Sequence, residues 1–396
     1  MKQTKHILPL IVLSQFCCTS LWFAGNGVIN DLIISFNLNT NALGHLTSAV
    51  QFGFIGGTLV FAILALADRF SPSKVFFISA IFGALFNGLI TWEQHTLSSL
   101  LVLRFLTGFC LAGIYPVGMK IASDYYKDGL GQSLSLLVGA LVIGTAFPHI
   151  LKDLTASYPW KLVIITTSIL AIIGGSLILL FVPNGPYCKV GAKTEWSACF
   201  KVFKKQSFRA VAFGYFGHMW ELYTFWAFVP IMLKTYTTIH PEVVFNIPLL
   251  SFFIIGIGGL ACVLFGSISK ILGEKKTASL ALLLSGVCCL VSPLLFTVSN
   301  QLLFVIFLMF WGMVVVADSP LLSTLVVQKA PSDIKGTALT IVNCLGYFIT
   351  IISLQCITLL LSYTNSNFIY IILAIGPILG LVTLNKKTKL ITAFIL

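Results

Sequence analysis

The chain is an almost unbroken series of apolar runs, each roughly twenty residues long and each ended by a short polar break. A helix of that length matches the ~30 Å hydrocarbon core of a bilayer. Twelve runs can be marked off, at 7–34, 43–67, 75–91, 97–122, 133–151, 162–182, 210–233, 245–268, 277–298, 302–327, 337–361 and 368–384. They are too long for the strands of a membrane barrel and do not alternate. With 58% of residues hydrophobic and only 9% charged, no soluble core could hide so much apolar surface. A soluble globular protein, a disordered chain and a disulfide-stapled secreted domain are excluded. The expected fold is an all-α membrane protein of twelve spans. The start, MKQTKHILPL, is basic and then apolar without a small-residue cleavage site, and reads as an uncleaved first span.

The net charge of +12 is explained by where the basic residues fall. With the N-terminus cytoplasmic, 20 of the 24 Lys and Arg lie in cytoplasmic segments. Three lie on the opposite side (Lys152, Lys161 and Lys234), and Arg104 lies within a span. This asymmetry sets both termini in the cytoplasm of an inner (plasma) membrane, with the excess charge facing anionic lipid and no nucleic acid expected as partner. The longest cytoplasmic connection, near 186–208, divides the chain into bundles at 1–185 and 209–396. The ten cysteines show neither CxxC nor Cys/His metal spacing and read as small buried hydrophobes. Neither a metal nor another cofactor is expected.

The two halves repeat. At an offset of about 204 residues Gly108 falls on Gly312 and Pro116 on Pro320, and GQSLSL at Gly131 falls on GTALTI at Gly336. The loop after span 2 reads LALADRFSPSK, and the loop after span 8 reads GSISKILGEKK. Tandem six-helix units place a solute site at their interface near mid-membrane. In span count, loop lengths and repeat the chain resembles the major facilitator superfamily. The loop signature is partial in each copy. The first keeps Asp68 and Arg69; the second keeps Gly266, Gly273 and Lys275 but has Lys270 where the acid belongs. The span 4 signature is present as RFLTG, Arg104 to Gly108. The stretches ADRFSP, RFLTGFCLAGIYPVGMK and GHMWELY are loosely similar to nitrate/nitrite–cyanate permeases. Nitrate itself is disfavoured, because spans 2 and 8 carry no arginine. The span 5 antiporter signature is not reproduced either.

Charge inside a bilayer costs several kcal/mol, so a deep charged residue suggests function. Arg104 lies in span 4, Glu221 in span 7 with His218 one turn before it, and Asp318 in span 10 just before Pro320. The resemblance implies that spans 1, 4, 7 and 10 line the central cavity. On that basis Glu221 is expected to carry a coupling proton tuned by His218, while Arg104 and Asp318 orient substrate. A salt bridge or hydrogen bond inside one bundle is the structural alternative for each. Trp22, Trp311, Tyr115 and Tyr223 on the same spans suit an organic solute through stacking, or simply pack the core. Asn26 offers an amide contact. Asp68, with Arg69, is expected to hold an inner gate shut by meeting the N-terminal end of span 11 near Lys335 and Gly336.

These readings converge on a monomeric, proton-coupled carrier of a small organic solute, working by alternating access. Efflux of hydrophobic compounds by proton antiport is the alternative. A polytopic enzyme or sensor is disfavoured, because no nucleotide loop, metal cluster or soluble domain is present to serve one.

Overall fold

The computed structural model describes residues 6–126, 130–187, 202–331, 335–364 and 366–385. Most of the expected connection between the halves, with Cys188 and Cys199, lies outside them. The helices fall into twelve spans, labelled α1 to α12. They are α1 (7–35, in three pieces), α2 (Ala42–Ile63), α3 (Pro72–Leu89), α4 (Leu97–Tyr125), α5 (Leu130–Leu154) and α6 (Lys161–Phe181). The second half holds α7 (Gln206–Ile239), α8 (Ile247–Leu272), α9 (Glu274–Thr297), α10 (Gln301–Lys329), α11 (Lys335–Tyr363) and α12 (Asn367–Asn385). Ten of these are long and apolar enough to cross a membrane. The other two are the broken α1 and the long α7, whose apolar run is diluted by Arg209, His218 and Glu221.

The pairing of spans repeats with the sequence. Within the first half α2 packs on α4, α3 on α6, and α1 on α5 and α6. Six spans later α8 packs on α10, α9 on α12, and α7 on α11 and α12. The halves meet through α2 against α11 and α5 against α8, contacts that the same offset exchanges. Two glycines show the duplication at atomic scale. A Cβ on Gly108 would run into the carbonyl oxygen of Val50, and one on Gly312 would run into that of Ile254. Both pairs are related by the 204-residue offset. Close backbone approach of this kind is what small residues permit between membrane helices.

Three irregularities shape the interior. The first helix runs Ile7–Thr19 and then breaks, resuming as Ala24–Gly27 and Ile29–Ser35. At the break Leu21 and Trp22 make tight turns back to Cys18 and Thr19, and their own carbonyls point out of the helix ladder. The α4 helix is interrupted between Leu111 and Tyr115, and α10 at Asp318, each just before its repeat-matched proline. The α2 helix stops at Ile63, short of the expected 67. Ala65 takes a left-handed φ of 49°, unfavourable for a side chain with Cβ, and Leu66–Arg69 follows as a single helical turn. All eight described cysteines are free thiols, seven of them buried.

Candidate solute site and buried charges

A cavity of about 760 Å³ opens between the halves. Its wall comes from the ends of α2 and α4 and the start of α5 on one side, and from Tyr215, the end of α10 and the start of α11 on the other. Asp68, Lys120, Gly131, Gln328 and Gly336 stand around its mouth. Deeper in, the polar wall is uncharged and includes Thr58, Tyr115, Tyr215, Thr340 and Asn343 among apolar side chains.

One to two turns further along the same spans an aromatic cluster joins the halves. Trp22, at the break in α1, stacks on Tyr223 of α7 (5.6 Å, 26°) and on Tyr347 of α11 (5.8 Å, 24°). Phe54 of α2 packs against Trp22 at 4.9 Å and Tyr347 at 4.5 Å. The Tyr223 and Tyr347 hydroxyls lie 2.9 Å apart and share a hydrogen bond. Trp226 completes the cluster edge-on to Tyr223 at 5.1 Å and to Phe23 at 6.4 Å.

The deep charges are sealed within their own halves. Arg104, 1% exposed, donates to the carbonyls of Leu21 (3.1 Å) and Trp22, the two groups freed by the break in α1. It also reaches Asn87 Oδ1 at 3.5 Å. Glu221, also 1% exposed, accepts hydrogen bonds from Trp311 Nε1 (2.6 Å), Ser285 Oγ (2.9 Å) and Cys289 Sγ (3.3 Å). It therefore ties α7 to α9 and α10. His218 Nδ1 stands 2.8 Å from Asp318 Oδ1, an ion-pair distance whose angle falls outside a good hydrogen bond, so both atoms are left without a hydrogen-bond partner among the described residues. None of Arg104, Glu221 and Asp318 belongs to the cavity wall. The His218–Asp318 pair lies behind that wall, with the ring of wall residue Tyr215 5.9 Å from that of His218.

The other expected residues divide. Tyr115 lines the cavity, Trp22 and Tyr223 form the cluster beyond it, and Trp311 serves Glu221. Asn26 Nδ2 donates to Thr47 Oγ1 at 2.9 Å, tying α1 to α2. Asp68 pairs with Lys120 at 2.9 Å inside its own half, while Gly336 lies on the wall opposite. Among the described residues Asp68 makes no ion pair with α11, and the Lys335 side chain lies outside them. Arg69 is exposed. Asp31 pairs with Lys152 at 2.9 Å. The end of the molecule away from the mouth is latched across the halves. Asn246 Nδ2 donates to Asp153 Oδ1 at 2.5 Å, and Gln355 Nε2 donates to Ser48 Oγ at 2.8 Å and to the Gly44 carbonyl at 3.1 Å.

The sequence reading missed Tyr215, Asn343 and Tyr347. A signal was there. Thr340, Asn343, Tyr347 and Thr350 recur at helical spacing and make one polar stripe along an otherwise apolar α11.

Two repeated bundles of six helices around an interfacial cavity, open at one end and latched at the other, define a polytopic membrane carrier. The model of the Major Facilitator Superfamily matches residues 11–354, and the chain belongs to that family. It is similar in fold to the proton:xylose symporter XylE bound to 6-bromo-6-deoxy-D-glucose, with a TM-score of 0.73 and 13% identity over 95% of this chain and 94% of that one. A point mutant of the nucleoside transporter NupG gives a TM-score of 0.73 with 15% identity over 96% of this chain and 100% of that one. In sequence it is 25% identical over 204 residues to the putative niacin/nicotinamide transporter NiaP of Bacillus subtilis (strain 168), covering 48% of this chain and 50% of that protein. The chain thus spans about half the length of the curated relative it matches.

Proposed function

We propose that this protein is a monomeric secondary transporter that moves a small organic solute across the plasma (inner) membrane by alternating access, coupled to protons. The observation that carries the reading is the interfacial cavity, walled by both repeats, open at one end and closed beyond by the Trp22–Tyr223–Tyr347 cluster and the Asn246–Asp153 latch. Rocking of one half against the other exchanges which end is open. The excess of basic residues in the loops on the mouth side supports a cytoplasmic mouth and cytoplasmic termini. Similarity to NiaP, whose name gives niacin and nicotinamide, supports an organic substrate.

Proton coupling is assigned to His218 and Asp318, with Glu221 behind them. The imidazole and the carboxylate stand 2.8 Å apart, close enough to share a proton between them. The pair borders the interruption in α10, the place where a helix can bend as the cavity opens. Its position behind Tyr215 supports a proton site next to, and distinct from, the solute site.

Purified protein in liposomes, given a labelled metabolite panel with and without an imposed pH gradient, tests the whole reading. Gradient-dependent accumulation of one solute is expected. Asp318→Asn should abolish accumulation yet retain exchange of solute across the membrane at equilibrium. Accumulation at the full wild-type level by that variant removes the pair from coupling.

A further inference from the structure

The aromatic cluster contains more hydrogen-bonding capacity than the protein uses. Trp22 and Trp226 are repeat equivalents at the 204-residue offset, both are fully buried, and neither indole N–H has a partner among the described residues. Gln51 is also fully buried, and both its amide oxygen and its amide nitrogen lack partners. It lies on the face of α2 that carries Thr47, which meets Asn26, and Phe54, which packs on Trp22 and Tyr347. Buried polar side chains are nearly always hydrogen-bonded, and a primary amide with both ends idle at zero exposure is a costly exception. An exception beside a stack of rings that spans two moving halves points to a ligand.

The geometry of the stack fits a flat guest. Trp22 belongs to the first half, and Tyr223 and Tyr347 to the second. The Trp22 ring plane lies within 26° of each tyrosine's, so separation of the halves exposes two nearly parallel apolar faces. A planar ring between them needs a centroid separation of about 7 Å, twice a carbon contact distance. The present 5.6–5.8 Å is short of that by little more than 1 Å. A saturated, puckered ring is thicker and offers no π face.

The charge inventory limits the guest further. Arg104 is committed to the Leu21 and Trp22 carbonyls, Glu221 to its three donors, and Asp318 to His218. Lys120 stands at the cavity mouth facing Asp68. No uncommitted charge adjoins the cluster among the described residues, so a carboxylate or ammonium would be desolvated there without a counter-charge. An idle amide nitrogen and an idle indole N–H call for an acceptor, and an idle amide oxygen calls for a donor. A primary carboxamide edge carries both.

We propose, building on the transport reading above, that the solute is an uncharged flat heteroaromatic ring bearing a carboxamide or an equivalent donor–acceptor edge. The ring is clamped between Trp22 and the Tyr223–Tyr347 pair, and its polar edge is read by Gln51 and the Trp22 indole.

Titration of the full-length protein in lipid nanodiscs with nicotinamide, nicotinate and cyclohexanecarboxamide, followed by tryptophan fluorescence and calorimetry at neutral pH, tests this. Nicotinamide should bind at least tenfold more tightly than nicotinate, which tests the edge charge, and than cyclohexanecarboxamide, which tests the ring. Gln51→Leu, nearly equal in volume, should weaken nicotinamide binding about tenfold. Trp22→Phe should weaken it severalfold while leaving a stacking face. Equal or tighter binding of nicotinate, equal binding of the saturated amide, or an unchanged Gln51→Leu affinity overturns the proposal. The ligand series on the unmodified protein decides even where a variant misfolds. Exchange in liposomes separates the two readings: sugars or organic acids exchanged while amides are not removes the substrate class and leaves transport standing, whereas exchange of no solute removes both.

Discussion

Trp311 of α10 donates its indole N–H to Glu221 of α7 at 2.6 Å, and the same carboxylate takes Ser285 and Cys289 of α9. Three donors from two neighbouring helices converge on one acid that is cut off from the cavity. The arrangement makes Glu221 a rivet of the second bundle. Glu221→Gln replaces one acceptor oxygen with a donor that faces donors, leaving at least one buried group unpaired at a cost of about 1–3 kcal/mol. The variant is expected to lose several degrees of melting temperature in detergent, and Glu221→Ala more. Trp311→Phe should show part of the same loss. Full wild-type stability of Glu221→Ala would mean that the carboxylate does not hold the bundle.

His218 and Asp318 face each other at ion-pair distance but lack the full set of hydrogen bonds that Glu221 has. Removing one charge of a buried pair leaves the other uncompensated, which is costly when the lost partner was ionised. His218→Asn and Asp318→Asn should therefore both impair gradient-driven accumulation, and the double variant should be no worse than the more impaired single one. Proton flux on addition of solute, read with a pH-sensitive dye inside liposomes, checks this. Losses that simply add would place the two residues in separate roles.

The span limits and the repeat were legible because both rest on composition along one dimension. A hydrocarbon slab demands length and apolarity, and a duplication leaves Gly108 and Gly312 at a fixed offset. The direction in which a deep side chain points was not legible. Arg104 lies on a span that the family resemblance assigns to the cavity, yet its guanidinium turns to carbonyls freed by a break in α1. Nothing in the apolar run around Leu21 announces that break beyond the neighbouring Ser20, Gly25 and Gly27. Asp68 was expected against α11 near Lys335; among the described residues it pairs with Lys120. Tyr347 was overlooked because a lone aromatic in an apolar run resembles packing. Its place in the Thr340–Asn343–Tyr347–Thr350 stripe distinguishes it.

The Asn246–Asp153 hydrogen bond is one of the polar ties between the halves at the closed end. Asp153→Ala should shift the population toward the conformation open on that side. A tie worth about 1.4 kcal/mol would change the ratio of the two states tenfold. Thr47 is buried between α1 and α2 beneath this closure, at 1% exposure. A cysteine at that position should react several times faster with a membrane-impermeant maleimide when Asp153 is alanine. An unchanged rate would show that the Gln355 contacts to Ser48 and Gly44 suffice alone.

Gly108 and Gly312 each sit against a carbonyl of the partner helix with no room for a methyl group. Gly108→Ala should push α4 from α2, and Gly312→Ala should push α10 from α8. Each is expected to cost about 1–3 kcal/mol through overpacking, far outweighing the better helix propensity of alanine. Because the repeat relates the two sites, their losses should be of similar size and, being far apart, additive within ~0.5 kcal/mol. Thermal unfolding of the single and double variants in one detergent checks both statements.

Arg104 offers the sharpest test of what a buried charge does here. Its two terminal nitrogens fork onto consecutive carbonyls at Leu21 and Trp22, and its aliphatic and Nε atoms lie against Gly25. The broken segment it holds also presents Trp22 to the cluster. A lysine keeps the positive charge but supplies one compact ammonium in place of a planar fork. Arg104→Lys is therefore expected to leave one carbonyl short, to lower the melting temperature, and to loosen Trp22. Loosened stacking should appear as a red-shifted or more quenchable tryptophan emission in Arg104→Lys relative to wild type, with the remaining tryptophans as a common background. Arg104→Gln, which loses the charge but keeps two amide donors, should be the milder change if carbonyl capping is the role. It should be the more severe if the charge itself is what matters. The order of the two variants thus decides between a structural cap for the broken helix and an electrostatic role for Arg104.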